Sequence, residues 1–350
     1  MRFVRLRNPV ELVSSRVPRI SILMPVRDAV ETIARAVDSI IAQTFSDWEL
    51  VAVDDGSCDG TAEFLQSMAG RDVGIRVITT PPHGIASALQ TGCSACGGDW
   101  IARMDADDVM HPERLAAQLE FAAGHPRVDV ISCLVGHGGN AVGYAAHVAW
   151  LNSLVMPEEM SLRRFIEAPV AHPSVMFRKS LLEKHGGYRA GDFPEDYELW
   201  LRWLEAGVSF AKIPRELLTW NDPPGRLSRT DPRYSVGNFY QMKCGYLAGW
   251  LKTHVARERE IWLWGAGRIT RRRFDTLEAH GIRIAGFVDV DPGKAGSHRD
   301  GRKVVMADDL PSRDEAFLVT GVGSRGAREK IHDALVRRGW REGVYFIHAA

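Results

Sequence analysis

From Ile20 onward, short apolar runs alternate with stretches of helical periodicity, and that alternation constrains the fold of this 350-residue chain more than any other feature. Runs at 20–25, 50–53, 75–79, 100–104 and 128–133 have strand length. Strands of this kind, joined by crossover helices, build a mostly parallel sheet covered on both faces. Between the first two runs, Val30, Ile33, Ala34, Val37, Ile40 and Ile41 recur at helical spacing and would cover one face. The fold class read from this pattern is α/β.

After Leu134 the alternation degrades through Gly136, Gly138, Gly139 and Gly143. It resumes as a polar helix near 157–165, a strand near 174–178, an amphipathic helix opening at Glu195 and a strand-like stretch at 208–213. This middle region reads as an added substrate-binding half. Residues 221–233, rich in proline and charge, read as a loop, and a helical stretch follows at 234–254. From Ile261 the pattern restarts as strand, Gly265-Ala266-Gly267, helix (269–280) and strand (284–288). The expected organisation is an N-terminal extension (1–18), a main α/β domain (19–230), a helical linker (231–256) and a smaller Rossmann-like α/β domain (257–350).

The 44 basic residues balance the 44 acidic ones, which removes the chain-wide basic excess of a dedicated nucleic-acid binder. The five cysteines, Cys58, Cys93, Cys96, Cys133 and Cys244, are odd in number and scattered, so they do not read as a disulfide framework. A reducing cytoplasm fits them. Cys93 and Cys96 form one CxxC pair without a second, and read as buried side chains before they read as a metal or redox pair. The N-terminal extension has no apolar stretch of signal-peptide length, and no window approaches the roughly 20 apolar residues that span a bilayer. The expected location is cytoplasmic, with peripheral contact at the inner face of the membrane.

Ligands of open α/β sheets bind beyond the carboxyl ends of the strands, so carboxylates that terminate apolar runs are candidates for function. Val51-Ala52-Val53 runs into Asp54 and Asp55, which could accept hydrogen bonds from a nucleobase or ribose, or could cap the following turn. Ile101-Ala102-Arg103-Met104 runs into Asp105, Asp107 and Asp108. Three acidic side chains within four residues repel one another unless a positive group lies between them, and a hard divalent cation, Mg²⁺ or Mn²⁺, is the economical answer. Glu195 and Asp196 open an amphipathic helix, where they either stabilise its first turn or keep an ionised carboxylate ready to take a proton from a hydroxyl.

In order along the chain, Met24-Pro25-Val26, Val53-Asp54-Asp55-Gly56-Ser57 with Asp59-Gly60-Thr61, Gly84-Ile85-Ala86, Met104-Asp105-Ala106-Asp107-Asp108, His172-Pro173-Ser174 and Glu195-Asp196 resemble the motifs of family-2 glycosyltransferases with the GT-A fold. The resemblance covers about residues 18–220. It implies that Pro25 and Asp54 lie against the nucleotide of an activated sugar, with Asp54 or Asp55 reading base and ribose. It implies that Asp105 and Asp107 form the DxD pair for ribose, diphosphate and metal, Asp107 being the closer metal ligand and Asp108 a supporting neighbour. It also implies that Asp196 is the base of an inverting transfer, that Glu195 orients the site, and that His172 lies near donor or acceptor. The chain departs from the family pattern at Arg27-Asp28, where relatives carry Tyr-Asn, and at Gln90, where they often carry Asn. Arg27 could contact the diphosphate or simply pair with Asp28. The Gln-x-x-Arg-Trp motif of processive members is absent from the sequence, so transfer of one sugar from a nucleotide-sugar donor to a glycan or lipid-linked acceptor is the implied reaction.

In the C-terminal module, Gly265, Gly267 and Asp289 form an incomplete dinucleotide fingerprint, with Thr270 in the place of the third glycine. A second glycine turn follows a strand at Gly321-Val322-Gly323, and Arg271, Arg272 and Arg273 form a basic run that is either a solvated face or a contact for anionic lipid. Two rival readings follow: a nicotinamide dehydrogenase acting through this module, and a nucleotide-sugar-binding or scaffold protein without turnover.

Overall fold

A computed structural model describes residues 17–139, 142–223, 225–324 and 326–350. Nearly all of the N-terminal extension 1–18 therefore lies outside the described residues. The chain forms two compact units that do not follow a single cut: the first runs to Pro157 and adds Val170–Gly191 and Ala206–Arg229, and the second takes Glu158–Pro169, Asp192–Glu205 and Thr230–Ala350.

The first unit holds β1 (Ile20–Val26), β2 (Trp48–Asp54), β3 (Ile75–Thr79), β4 (Trp100–Arg103), β5 (Val109–Met110), β6 (Val130–Gly138), β7 (Met176–Arg178) and β8 (Phe210–Asn221) in one sheet ordered β3-β2-β1-β4-β7-β6-β8-β5. Strands β1 to β4 are mutually parallel, and β7 runs antiparallel to both β4 and β6. β1 and β2 are buried along their whole length, as two-sided cover requires. The helix Ile33–Ile41 supplies part of that cover through Ile33, Ala36, Val37 and Ile40, spaced three and four apart. Val30 does not join the stripe. It is 45% exposed, because its backbone N–H is held by Asp59 Oδ2 at 3.0 Å in the loop before the helix.

The glycines after Leu134 do not end the strand. β6 continues to Gly138 beside the parallel β8, and a Cβ at Gly136 or Gly138 would lie 2.2 Å from Glu216 Oε1 or 2.1 Å from Asn221 Oδ1. Glycine there lets β8 side chains pass close to the backbone. The helix Val142–Ser153 follows, where sequence periodicity showed none. Its Tyr144, Val148 and Leu151 pack into the core of the first unit, and the Tyr144 and His147 rings lie 5.1 and 6.0 Å from that of Trp220.

The second unit contains β9 (Glu260–Trp264), β10 (Ile284–Asp289), β11 (His298–Arg299), β12 (Arg302–Met306), β13 (Ala316–Thr320) and β14 (Phe346–His348) in the order β11-β12-β10-β9-β13-β14, parallel except for β11. This is a doubly wound arrangement whose switch point lies between β9 and β13. The helix expected over 269–280 breaks at Asp275 into Arg268–Phe274 and Thr276–Ala279. The helix Glu195–Glu205 contributes Tyr197 and Leu201 to the same core as Phe165, Leu247, Leu263 and Phe274. Among the described residues no helix is long and apolar enough to cross a membrane.

Candidate active site

Register brings the carboxylates of the first unit to one edge. Pro25 pairs with Val53 and Val26 with Asp54 across β1 and β2, while Leu23 pairs with Arg103 across β1 and β4. Asp105, two residues beyond the end of β4, therefore emerges from the same edge as Pro25 and Asp54. Asp54 is buried; its Oδ1 accepts the Ser57 N–H at 3.2 Å, and its Oδ2 is buried without a hydrogen-bond partner among the described residues. Asp55 acts differently: its two oxygens accept the N–H groups of His83 and Gly84, each at 2.8 Å, and so hold the loop before the helix Ile85–Ala95. Arg27 is half-exposed, 3.6 Å from Asp28 and 3.9 Å from Asp55.

The acidic loop 105–108 is braced from two sides. From below, the buried Arg103 donates to Asp105 Oδ1 at 2.5 Å and to the Met104 carbonyl, and the buried Arg114 donates to the Arg103 carbonyl at 3.0 Å. From the end of β8, the Asn221 N–H donates to Asp108 Oδ1 at 2.8 Å and its side-chain amide to the Asp107 carbonyl at 2.6 Å. Asp105, Asp107 and Asp108 each place an oxygen within 4.8 Å of the others. Burial first, then the Asp105 charge, pushes Asp107 up to about 6. Burial and both neighbouring carboxylates push Asp108 well above the usual range, and its Oδ2 is buried without a partner among the described residues. Such a cluster has capacity for positive charge, and its oxygen donors suit Mg²⁺ or Mn²⁺.

Sequence reasoning missed Arg226, in the segment read as a loop. Its guanidinium lies 4.8 Å over the Trp220 ring and 5.0 Å over that of Tyr144, and interacts electrostatically with Asp105 and Asp108. Tyr188 was missed as well. Its hydroxyl is 2.7 Å from Nε2 of the buried His172, and its carbonyl accepts the Gln90 side-chain amide at 2.9 Å. Burial, with Arg103 a lesser cause, holds His172 well below the ordinary histidine range, so its ring is neutral. Neither residue belongs to a legible motif.

In the second unit, Glu195 and Asp196 form the first turn of their helix. Glu195 is buried and its Oε2 accepts the Tyr234 hydroxyl at 2.7 Å, while Asp196, half-buried, accepts the Tyr197 N–H at 2.7 Å. At the carboxyl ends of β9 and β10, Gly265 has φ +123°, where a side chain would be strained and would meet Thr270 at 2.9 Å. Gly267, at φ −64°, begins the helix Arg268–Phe274. Asp289 is engaged within this fold: it accepts from the Ala266 N–H at 3.1 Å, the Asp291 N–H at 3.0 Å and Lys294 Nζ at 3.1 Å. The three arginines do not form one basic face, because Arg271 bonds the Ala266 carbonyl and pairs with Asp300, and Arg273 lies 5.0 Å over the Tyr240 ring. Cys93 and Cys96 are buried free thiols, and burial pushes the Cys96 thiol up to about 12.

Residues 21–186 match the model of Glycosyl transferase family 2. That stretch contains Pro25 to Asp108 and His172 and ends before Glu195. The chain is 30% identical over 188 residues to the O-antigen biosynthesis glycosyltransferase WbnJ of Escherichia coli, covering 53% of this chain and 71% of WbnJ. It is 29% identical over 194 residues to the amylovoran biosynthesis glycosyltransferase AmsE of Erwinia amylovora, covering 54% of this chain and 70% of AmsE. Among solved structures, S. aureus TarS 1-349 in complex with UDP-GlcNAc superposes with a TM-score of 0.55 at 18% identity over 67% of this chain and 72% of that chain, a likeness of fold.

Proposed function

The chain belongs to glycosyltransferase family 2, and on that premise we propose that it transfers a single sugar, with inversion, from a nucleotide-diphosphate sugar to a hydroxyl of a glycan or lipid-linked acceptor in cell-surface polysaccharide synthesis. The observation that carries the reading is the convergence of Asp54 and the acidic loop 105–108 on one strand edge, each with a buried carboxylate oxygen that has no partner among the described residues. The names of WbnJ and AmsE, both tied to surface polysaccharides, support the biological setting. The reading places the enzyme at the cytoplasmic face of the membrane, where it meets its acceptor peripherally.

In this account Asp54 Oδ2 accepts from the base or ribose of the donor, with Pro25 against the nucleotide and Asp55 holding the 83–84 loop. Asp105 and Asp107, supported by Asp108, would hold Mg²⁺ or Mn²⁺, which when bound supplies positive charge to the diphosphate. Arg226 and Arg27 add cationic charge for the same group. Asp196 takes the proton of the acceptor hydroxyl as that oxygen bonds the anomeric carbon and the bond to the diphosphate oxygen breaks, its electron pair leaving with the diphosphate. Glu195, fixed by Tyr234, positions the turn that carries Asp196. His172, neutral and bound to Tyr188, shapes the donor or acceptor side.

The test is to incubate the full chain with UDP-, GDP- and dTDP-sugars and membrane-extracted lipid-linked acceptors, following nucleoside diphosphate release and the product's anomeric configuration by NMR. Inversion is expected, with Asp196→Asn still binding donor but turning over at least about 10²-fold more slowly. Retention of configuration, or undiminished turnover by Asp196→Asn, would overturn the reading.

A further inference from the structure

Two imidazoles and a carboxylate meet in the second unit, apart from every residue given a role above. His332 lies on the helix Ala327–Arg337, His348 ends β14, and Glu342 lies in the segment between them. His332 Nδ1 is 3.2 Å from His348 Nε2 and 3.6 Å from Glu342 Oε2. One ligand atom from each residue falls within 4.8 Å of the other two. In a tetrahedral zinc site, bonds of about 2.0–2.2 Å put adjacent ligand atoms roughly 3.3–3.6 Å apart. The two measured separations are those of tetrahedral edges or very nearly so.

We propose that His332 Nδ1, His348 Nε2 and the Glu342 carboxylate form a Zn²⁺ site with a fourth position left for water or an anionic oxygen. Two imidazoles and one carboxylate are the donor set of three-ligand zinc sites. The Glu342 side chain is only 8% exposed, and its Oε1 is buried without a hydrogen-bond partner among the described residues. Its Oε2 is held by Arg163 at 3.2 Å, a cation that partly compensates the carboxylate and that Zn²⁺ would have to share it with. His348 is fully buried, and its Nδ1 is 2.6 Å from Thr320 Oγ1. If Nδ1–H donates to that hydroxyl, the Nε2 lone pair is left facing His332, the outer-shell pattern that orients a ligating histidine.

The site would tie the helix Ala327–Arg337 to β14. It runs alongside β14: His348 ends that strand, Glu342 is bridged to Phe346 at its start, and the His332 ring lies 5.7 Å from that of Phe346.

The test uses the full chain, stripped of metal and titrated with Co²⁺ as a spectroscopic probe. The Asp107→Asn variant is titrated in parallel, so that the acidic loop of the first unit cannot supply the signal. The expected result is intense visible absorption of tetrahedral Co²⁺ that saturates at one equivalent, is bleached by Zn²⁺ and persists in Asp107→Asn. The signal should be lost in His332→Ala, whose side chain is partly exposed and whose removal leaves the core intact, and Thr320→Val should weaken binding about tenfold. Absence of the absorption, or an undiminished signal in a folded His332→Ala, would overturn the proposal and leave an imidazole pair with an Arg163–Glu342 ion pair.

Discussion

Asp107, a metal ligand in the proposed function, also bears on stability. Its folded value of about 6 lies above the 3.8 of an unperturbed aspartate, so between those values the folded chain holds more proton than the unfolded one. Stability therefore declines as pH rises through that window, and the cost is fully present above about 6. Without divalent metal, Asp107→Asn should melt higher than the native chain at pH 8, by about 1–3 kcal/mol after allowing for partial exposure, and the advantage should vanish near pH 4. Thermal melts of both proteins in chelator at the two pH values check this. A gap independent of pH would show that Asp107 ionises freely in the fold. The acidic group Asp105, Asp107 and Asp108 was legible in the sequence, because three carboxylates within four residues follow one apolar run. The division of labour between Asp54, with an unpartnered oxygen, and Asp55, which staples residues 83 and 84, was not, since both end the same apolar run.

At the scale of elements, buried strands were readable from their apolar runs, and the helix Ile33–Ile41 from its period. Elements set by tertiary contact were not. The glycines of β6 read as a failing strand because nothing local announces that Glu216 and Asn221 need the space, and the short stripe Tyr144, Val148 and Leu151 of the helix Val142–Ser153 is hidden among apolar and aromatic neighbours on its other faces. Arg226 escaped notice for the same reason: Tyr144, one of the two rings under it, is 82 residues away in sequence. Close approach also governs the edge where β4 begins. A Cβ at Gly98 would lie 2.7 Å from the Ser21 backbone nitrogen and 2.9 Å from the Ile20 carbonyl carbon, atoms that cannot step aside without displacing β1. Gly98→Ala should therefore destabilise the fold by about 1–3 kcal/mol in urea unfolding. A change under a few tenths would mean that the β1–β4 edge yields more readily than its packing indicates.

For the molecule as a whole, the restart of the strand-helix pattern at Ile261 made a second α/β sheet legible. The interleaving of the units was not, because the membership of Glu158–Pro169 and Asp192–Glu205 depends on which core receives Phe165, Tyr197 and Leu201. Those side chains pack with Leu247, Leu263 and Phe274, so a chain ending at residue 256 would leave them without much of their core. Such a chain should aggregate or lose its cooperative melt by circular dichroism, whereas an undisturbed melt would show that these segments fold without the C-terminal sheet. The central claim concerns the strand edge that carries Asp54, Asp105 and Asp107. Isothermal calorimetry of the full chain with UDP, GDP, dTDP and CDP, with and without Mn²⁺, tests it most directly when repeated on Asp107→Asn. The account predicts that one nucleotide binds with Mn²⁺ and that this binding falls at least about tenfold without the metal or in the variant. Binding of equal strength with and without Mn²⁺, unchanged in Asp107→Asn, would contradict it.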